Sequence, residues 1–218
     1  QDVVADTDYR IGDDRFQPLV AGRSLSLARP DLHVFVVMGD GDCCSIGGNH
    51  WLHATRYNTD MLAVVMDNEV YGMTKGQASP TTAPDWDRGK LTPGGTGIRP
   101  FQPAGLALTA GASFIARGFT GDPNGLARIL AEAIEHPGFA FVQALSPCPT
   151  FRPEQMEWKR QVRAFGEETT SDPVLAAQRI QADDGMSLGI IYRSEAPAFR
   201  PGARGQAAAP RFEEEFRV

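Results

Sequence analysis

Short, nearly continuous apolar runs alternate with stretches of helical period along most of this chain. Residues 33–38 and 61–66 are such runs, as expected for strands covered on both faces. Between them, residues 49–58 put Trp51, Leu52 and Ala54 on an inward helical face, so the three segments predict a right-handed βαβ unit. A helix is expected at 19–28, stopped before Pro30, and regular structure returns at 106–110 with a strand at 113–117. Asp122-Pro123 opens a helix carrying Leu126, Ile129, Leu130, Ala133 and Ile134 at helical spacing, which ends near His136-Pro137-Gly138. A buried strand follows at 139–145, then helices near 153–165 and 173–182 and a last strand at 188–193. This alternation predicts the α/β class, a parallel sheet with helices on both faces. The stretch from Gly72 to Pro103 is rich in Gly, Pro, Thr and Ser and too long for a plain connection, which marks it as functional. One domain is expected over 1–195, followed by a tail at 196–218 whose middle is too rich in Ala, Pro, Arg and Glu to pack well.

Composition narrows the function. The 218 residues are 42% hydrophobic and 22% charged, ordinary for a globular domain with one core. With 21 Lys and Arg against 27 Asp and Glu the net charge is −6, and no basic stripe offers itself to nucleic acid. No apolar stretch reaches the ~20 residues of a membrane span, and the first thirty residues lack a signal-peptide core, so a cytoplasmic location without membrane association is expected. Cys43, Cys44 and Cys148 are odd in number and lack framework spacing, which fits a reducing compartment. A first residue of Gln1 rather than Met suggests processing or a piece of a longer chain.

The chemistry lies at the ends of the first two strands. Gly39-Asp40-Gly41-Asp42 follows one apolar run and Asp67-Asn68-Glu69-Val70-Tyr71-Gly72 the other, with Asn68 28 positions after Asp40, so both reach the carboxyl edge of a parallel sheet. Gly39 and Gly41 let the backbone turn and approach a ligand, and Asp40 offers a hard carboxylate oxygen. The Asn68 amide oxygen and the Val70 carbonyl complete a sparse ligand set of the kind Mg²⁺ uses beside phosphate oxygens and water. Ser45, Ile46 and Gly47, entering the next helix, are expected to present amide N–H groups to a phosphate. Turn formation alone explains Gly-Asp-Gly equally well. The second motif, at this spacing after a second apolar run, favours the metal.

Longer strings carry a family resemblance. Ile46-Gly47-Gly48-Asn49-His50, Tyr71-Gly72-Met73-Thr74-Lys75-Gly76-Gln77, Ser79-Pro80-Thr81-Thr82, Gly111-Ala112-Ser113-Phe114-Ile115-Ala116-Arg117 and Leu145-Ser146-Pro147-Cys148-Pro149-Thr150-Phe151 occur in that order. Together with the two strand-end motifs they resemble the thiamine-diphosphate-binding β subunit of 2-oxoacid:ferredoxin oxidoreductases over roughly residues 19–193. The resemblance implies the thiamine-diphosphate-binding fold, with Mg²⁺ held by Asp40, Asn68 and the Val70 carbonyl. It places Gly39, Asp40, Gly41, Asp42, Ser45, Ile46, Asn68, Val70, Tyr71, Gly72, Met73 and Thr74 against the cofactor, and Met73 and Lys75 against the substrate. The implied reaction is oxidative decarboxylation of a 2-oxoacid to an acyl-coenzyme A and CO₂, with electrons passed to ferredoxin. The activating glutamate comes, in this family, from a partner α subunit, so no general base is assigned here.

Departures from the family matter as much. Relatives bind a [4Fe–4S] cluster through upstream cysteines and the one corresponding to Cys148; only Cys148 is present, and one thiolate cannot hold four irons. The family's cysteine-bearing N-terminal segment is thus expected to be missing, supplied by another polypeptide, or lost with the cluster. Cys43 and Cys44 read as packing residues, with Cys44 the second ligand if a cluster exists. His50 and His53 read as structural or cofactor-facing rather than a metal pair, Trp51 as core, and Arg99 and Arg117 as solvated or salt-bridging. Lys75 stands where pyruvate-using relatives often carry Gly, and its ammonium suits the distal carboxylate of 2-oxoglutarate. Two alternatives stay open: a non-redox thiamine-dependent decarboxylase or synthase, and a non-catalytic remnant.

Overall fold

The structure, a computed structural model, describes residues 18–200. The middle of the tail, expected to pack poorly, lies outside the described residues. In chain order the elements are α1 (Pro18–Ala28), β1 (Phe35–Gly39), a π-helical turn (Asp42–Ile46), α2 (Gly48–Arg56) and β2 (Met61–Asp67). A two-residue antiparallel pair follows, β3 (Arg88–Gly89) and β4 (Thr92–Pro93), inside the long loop. Then come α3 (Pro103–Ala110), β5 (Phe114–Phe119), α4 (Pro123–Ile134), β6 (Phe139–Leu145), a 3₁₀ turn (Pro153–Glu157), α5 (Trp158–Gln161), β7 (Arg163–Ala164), α6 (Pro173–Ala182) and β8 (Ser187–Arg193).

Helix starts follow local chemistry. Asp122 accepts from the Gly125 N–H ahead of α4, and Asp172 accepts from the Val174 and Leu175 N–H groups ahead of α6, each with Pro at the first helical position. Helix α3 stops at Gly111, whose φ of +95° a side chain would resist.

The main sheet has the order β1-β2-β6-β5-β8-β7. Strands β1, β2, β6 and β5 run parallel, as expected, but β8 pairs antiparallel with β5 across a register shift between Ile115 and Ala116. The expected parallel sheet with helices is thus found, with the antiparallel β8 added at one side, a direction of which an apolar run carries no record. The expected helix at 153–165 is corrected. Pro153 starts a 3₁₀ turn, α5 lasts one turn, and Val162 is extended so that β7 can pair with β8.

Helices α1, α2, α3 and α6 cover one face and α4 the other. Trp51 stacks on Phe141 at 5.2 Å on the first face, and Leu126, Ile129 and Leu130 pack over Val64, Phe114 and Val142 on the second. Residues of β2 and β6 are buried almost throughout, which is why their runs lack alternation. Leu52 departs from expectation: at 43% exposure it lies outside the narrow inward stripe of Trp51, Ala54 and Thr55.

At the amino edge of the sheet, the Ser113 hydroxyl donates to Asn58 Oδ1 at 2.9 Å, so it accepts from His136 Nε2–H at 2.8 Å. Asn58 also receives the Phe139 N–H and donates to the Ala196 and Pro197 carbonyls, fastening the chain beyond β8. Burial, helped by Arg193, holds His136 below the usual histidine pKa of about 6.5. The unfolded chain therefore takes up this proton first, and the histidine's contribution to stability falls as pH drops below about 6.5, by at most about 1.4 kcal/mol per pH unit. Urea unfolding of wild type and His136→Gln at pH 7.5 and 5.5 checks this. The variant is expected to lose less on acidification, and equal losses refute the assignment.

Candidate functional site

Asp40 leaves the carboxyl end of β1 and Asp67 ends the neighbouring β2, each 2% exposed. The Thr81 hydroxyl, reaching in from the long loop, lies 2.8 Å from Asp40 Oδ2 and 2.9 Å from Asp67 Oδ1. Gln143 on β6 donates to Asp67 Oδ2 at 2.7 Å, and Arg117 on β5 donates to Gln143 Oε1 at 3.0 Å and pairs with the buried Asp183. A continuous buried polar chain thus runs along the carboxyl edge from Asp183 to Asp40. It borders a cavity of about 350 Å³ that also touches Glu69. A larger hollow of about 420 Å³ lies away from these residues, between α4 and β8.

Packing carboxylates this closely shifts them. Burial, then the charge of Asp40, pushes the Asp67 carboxyl up to about 6 against the pull of its Gln143 and Thr81 hydrogen bonds. Burial and Asp67 push Glu69 up to about 7, although Arg152, 3.2 Å away, favours its ionised form. The cluster carries more negative charge than its own cations balance, and a divalent ion would relieve it.

The second motif folds as a tight turn. Asn68 Oδ1 accepts from the Val70 N–H at 3.1 Å, and Glu69 sits at φ +53°, a costly left-handed conformation for this residue. The Glu69 carbonyl is held by the Thr82 hydroxyl at 2.6 Å and Arg152 at 3.1 Å, and the Asn68 carbonyl by Gln155 at 2.9 Å. Among the described residues the Val70 carbonyl has no donor, an unspent acceptor of the kind a cation would use. Tyr71 joins the two motifs by donating to the Gly41 carbonyl at 3.3 Å.

Most of the expected cofactor residues gather here, with differences in reason. Gly41 has φ −66°, which any residue adopts; its lack of a side chain is required because a Cβ would fall 2.2 Å from the Tyr71 ring. A Cβ on Gly39 would meet nothing within 4 Å, so that side is open to a ligand. Asp42, Ser45 and Ile46 lie in the π turn, where Ser45 and Ile46 are exposed. Gly47 does not offer its N–H outward as expected; it donates to the Asp42 carbonyl, closing the π turn. Gly72, Met73, Thr74 and Lys75 form the tip of a loop closed between Tyr71 and Gln77, with Met73 98% exposed and Lys75 exposed at φ +75°. That left-handed φ is one glycine adopts without steric cost and lysine does not.

Other residues fall elsewhere. Cys43 and Cys44 are buried in the core, the contact with Cys44 and then burial pushing the Cys43 thiol strongly up, while Cys148 is half-buried. Three cysteines, two of them in the core, do not fit a four-thiolate cluster site. His50 and His53 are exposed on α2, and no group of three metal-binding His, Cys, Asp or Glu side chains occurs among the described residues. Arg99 is exposed, whereas Arg117 is the buried salt-bridging residue described above. Gln143, Arg152 and Gln155 were missed, and Thr81 and Thr82 entered only as part of a motif. Their partners in the two strand-end motifs lie 13 to 87 positions away, where no local spacing reveals them.

Residues 18–144 match the family of the thiamine pyrophosphate enzyme, C-terminal TPP binding domain. The chain is 46% identical over 132 residues to the 2-oxoglutarate synthase subunit KorB of Archaeoglobus fulgidus, covering 61% of this chain and 49% of that one. It is 36% identical over 173 residues to the 2-oxoacid:ferredoxin oxidoreductase subunit beta of Saccharolobus solfataricus, covering 78% and 56%. A chain of the 2-oxoglutarate:ferredoxin oxidoreductase from Magnetococcus marinus, solved with 2-oxoglutarate, coenzyme A and succinyl-CoA bound, superposes with a TM-score of 0.76 at 36% identity, covering 83% of this chain and 63% of that one. The chain spans about half the length of these two curated relatives. With its strand-end motifs, mostly parallel sheet and matched span in agreement, the chain belongs to the thiamine pyrophosphate enzymes through their C-terminal TPP binding domain, and is a homologue of the β subunits of 2-oxoacid:ferredoxin oxidoreductases.

Proposed function

We propose that the chain serves as the cofactor-binding part of a β subunit that, with an α subunit, oxidatively decarboxylates a 2-oxoacid, 2-oxoglutarate by preference, to acyl-coenzyme A and CO₂ for a ferredoxin acceptor. The observation that carries this reading is the pairing of buried Asp40 with the Asn68–Val70 turn at adjacent strand ends, each braced by buried side chains. Asp40, Asn68 and the Val70 carbonyl would hold Mg²⁺ and through it the diphosphate; thiamine diphosphate supplies the carbon nucleophile and electron sink. Thr81 orients the Asp40 carboxylate, and Tyr71 fixes the distance between the two loops. Gly39 leaves room for the ligand, and the exposed loop at Met73 and Lys75 faces incoming substrate. The names of the relatives, KorB and 2-oxoglutarate:ferredoxin oxidoreductase, support the choice of 2-oxoacid.

The test is reconstitution of the full chain with its α partner. Coenzyme A-dependent reduction of a viologen dye by 2-oxoglutarate, requiring thiamine diphosphate, is expected; dye-independent CO₂ release would instead indicate the non-redox decarboxylase. Lys75→Ala is expected to raise the KM for 2-oxoglutarate at least about tenfold, the loss of one charge-assisted contact, with little change for 2-oxobutyrate. Equal effects on both substrates would show a solvated loop lysine.

A further inference from the structure

We propose that Gln155 is a positioning residue for the metal-binding turn, tying the Asn68–Val70 backbone to the Cys148 segment through the two ends of one buried amide. The proposal rests on the reading of that turn as a Mg²⁺–diphosphate site. Gln155 lies in the 3₁₀ turn opened by Pro153 and is 1% exposed. Its Oε1 accepts from the Cys148 N–H at 3.0 Å, and its Nε2 donates to the Asn68 carbonyl at 2.9 Å. A backbone N–H only donates and a carbonyl only accepts, so both partners demand the same amide orientation.

The contact with Asn68 falls where the turn is least self-sufficient. The Asn68 carbonyl belongs to the peptide plane whose rotation is the φ of Glu69, and that φ is the strained +53°. Gln155 therefore pins the dihedral that sets the direction of the Val70 peptide relative to the Asn68 side chain. Arg152, three residues earlier and 6% exposed, holds the next carbonyl from the same segment. Two of the turn's carbonyls are thus held from residues 148–155, beside the Asp67 carboxylate that accepts from the Glu69 N–H and the Thr82 hydroxyl on the Glu69 carbonyl, and a displacement of the Cys148 backbone is passed to the proposed metal ligands through one side chain held at both ends.

Calorimetric titration of Mg²⁺ with saturating thiamine diphosphate, on the full chain assembled with its partner, tests the inference. Gln155→Glu keeps the acceptor for Cys148 but turns an oxygen toward the Asn68 carbonyl; Gln155→Met keeps the length and removes both ends. Each is expected to weaken Mg²⁺ binding about 10–100-fold, the range for groups that orient metal ligands, beside a drop of several degrees in the metal-free melting temperature from the buried groups left unpaired. Lowered melting temperature with Mg²⁺ binding within threefold of wild type would show a structural glutamine and overturn the proposal. In wild type, hydrogen exchange across 148–157 should slow together with 67–72 when Mg²⁺ and cofactor are added; exchange that changes only at 67–72 overturns it whatever the variants do. A wild-type assembly that binds no Mg²⁺–cofactor at all defeats the functional reading, and this inference with it.

Discussion

Asp40→Asn is expected to lower the affinity for Mg²⁺–thiamine diphosphate by more than about 100-fold, because even the hydrogen-bonding partners of metal ligands are worth about 10–100-fold. The metal-free chain should fold as well as wild type or better. Asparagine keeps an oxygen for the Thr81 hydroxyl while removing one of the charges that push Asp67 and Glu69 up. Binding and stability should therefore move in opposite directions, a pattern that general damage to the fold does not produce. Calorimetry of the cofactor with and without Mg²⁺, beside thermal unfolding without ligand, reads both. Affinity within threefold of wild type would remove Asp40 from the ligand set.

Arg117→Met is expected to cost about 3–5 kcal/mol, the range for stripping one partner from a buried ion pair. Its guanidinium is 6% exposed, pairs with Asp183 and also supports Gln143 and the Ser187 carbonyl. At roughly 2–4 °C per kcal/mol for a chain of this size, the melting temperature should fall by about 6–20 °C. Adding Asp183→Leu should restore part of the loss, since it removes a buried charge left with only the half-exposed Arg163, 3.4 Å away, as its cation. A double variant no more stable than the single would place the cost in packing around the guanidinium instead.

These two residues show what was legible in the sequence and what was not. Asp40 stands directly after a strand and within a motif whose chemistry is local, so its proposed role could be argued from neighbours alone. Strands β2, β5 and β6 were visible for a related reason: two-sided burial imposes continuous apolar runs; the edge strand β1 keeps an apolar run although Val37 is 51% exposed. The direction of β8 was not, because Ser187–Arg193 would look the same pairing either way with β5. Arg117 shows the other limit. It lies in the middle of an apolar strand, and its partners are Gln143, 26 positions away, and Asp183, 66 positions away. Gln155 is further still from Asn68. Local spacing reveals groups that share a turn of chain; it is silent about side chains that meet only after the sheet has closed.

The polar chain from Asp183 through Arg117, Gln143, Asp67 and Thr81 to Asp40 draws on the end of α6, β5, β6, β2, the long loop and the end of β1. For protein engineering the consequence is specific. Copying Gly-Asp-Gly and Asp-Asn onto the strand ends of another doubly wound sheet would transplant the proposed ligands and leave behind the buried groups that aim them. A working graft would have to carry the carboxyl edge as one unit.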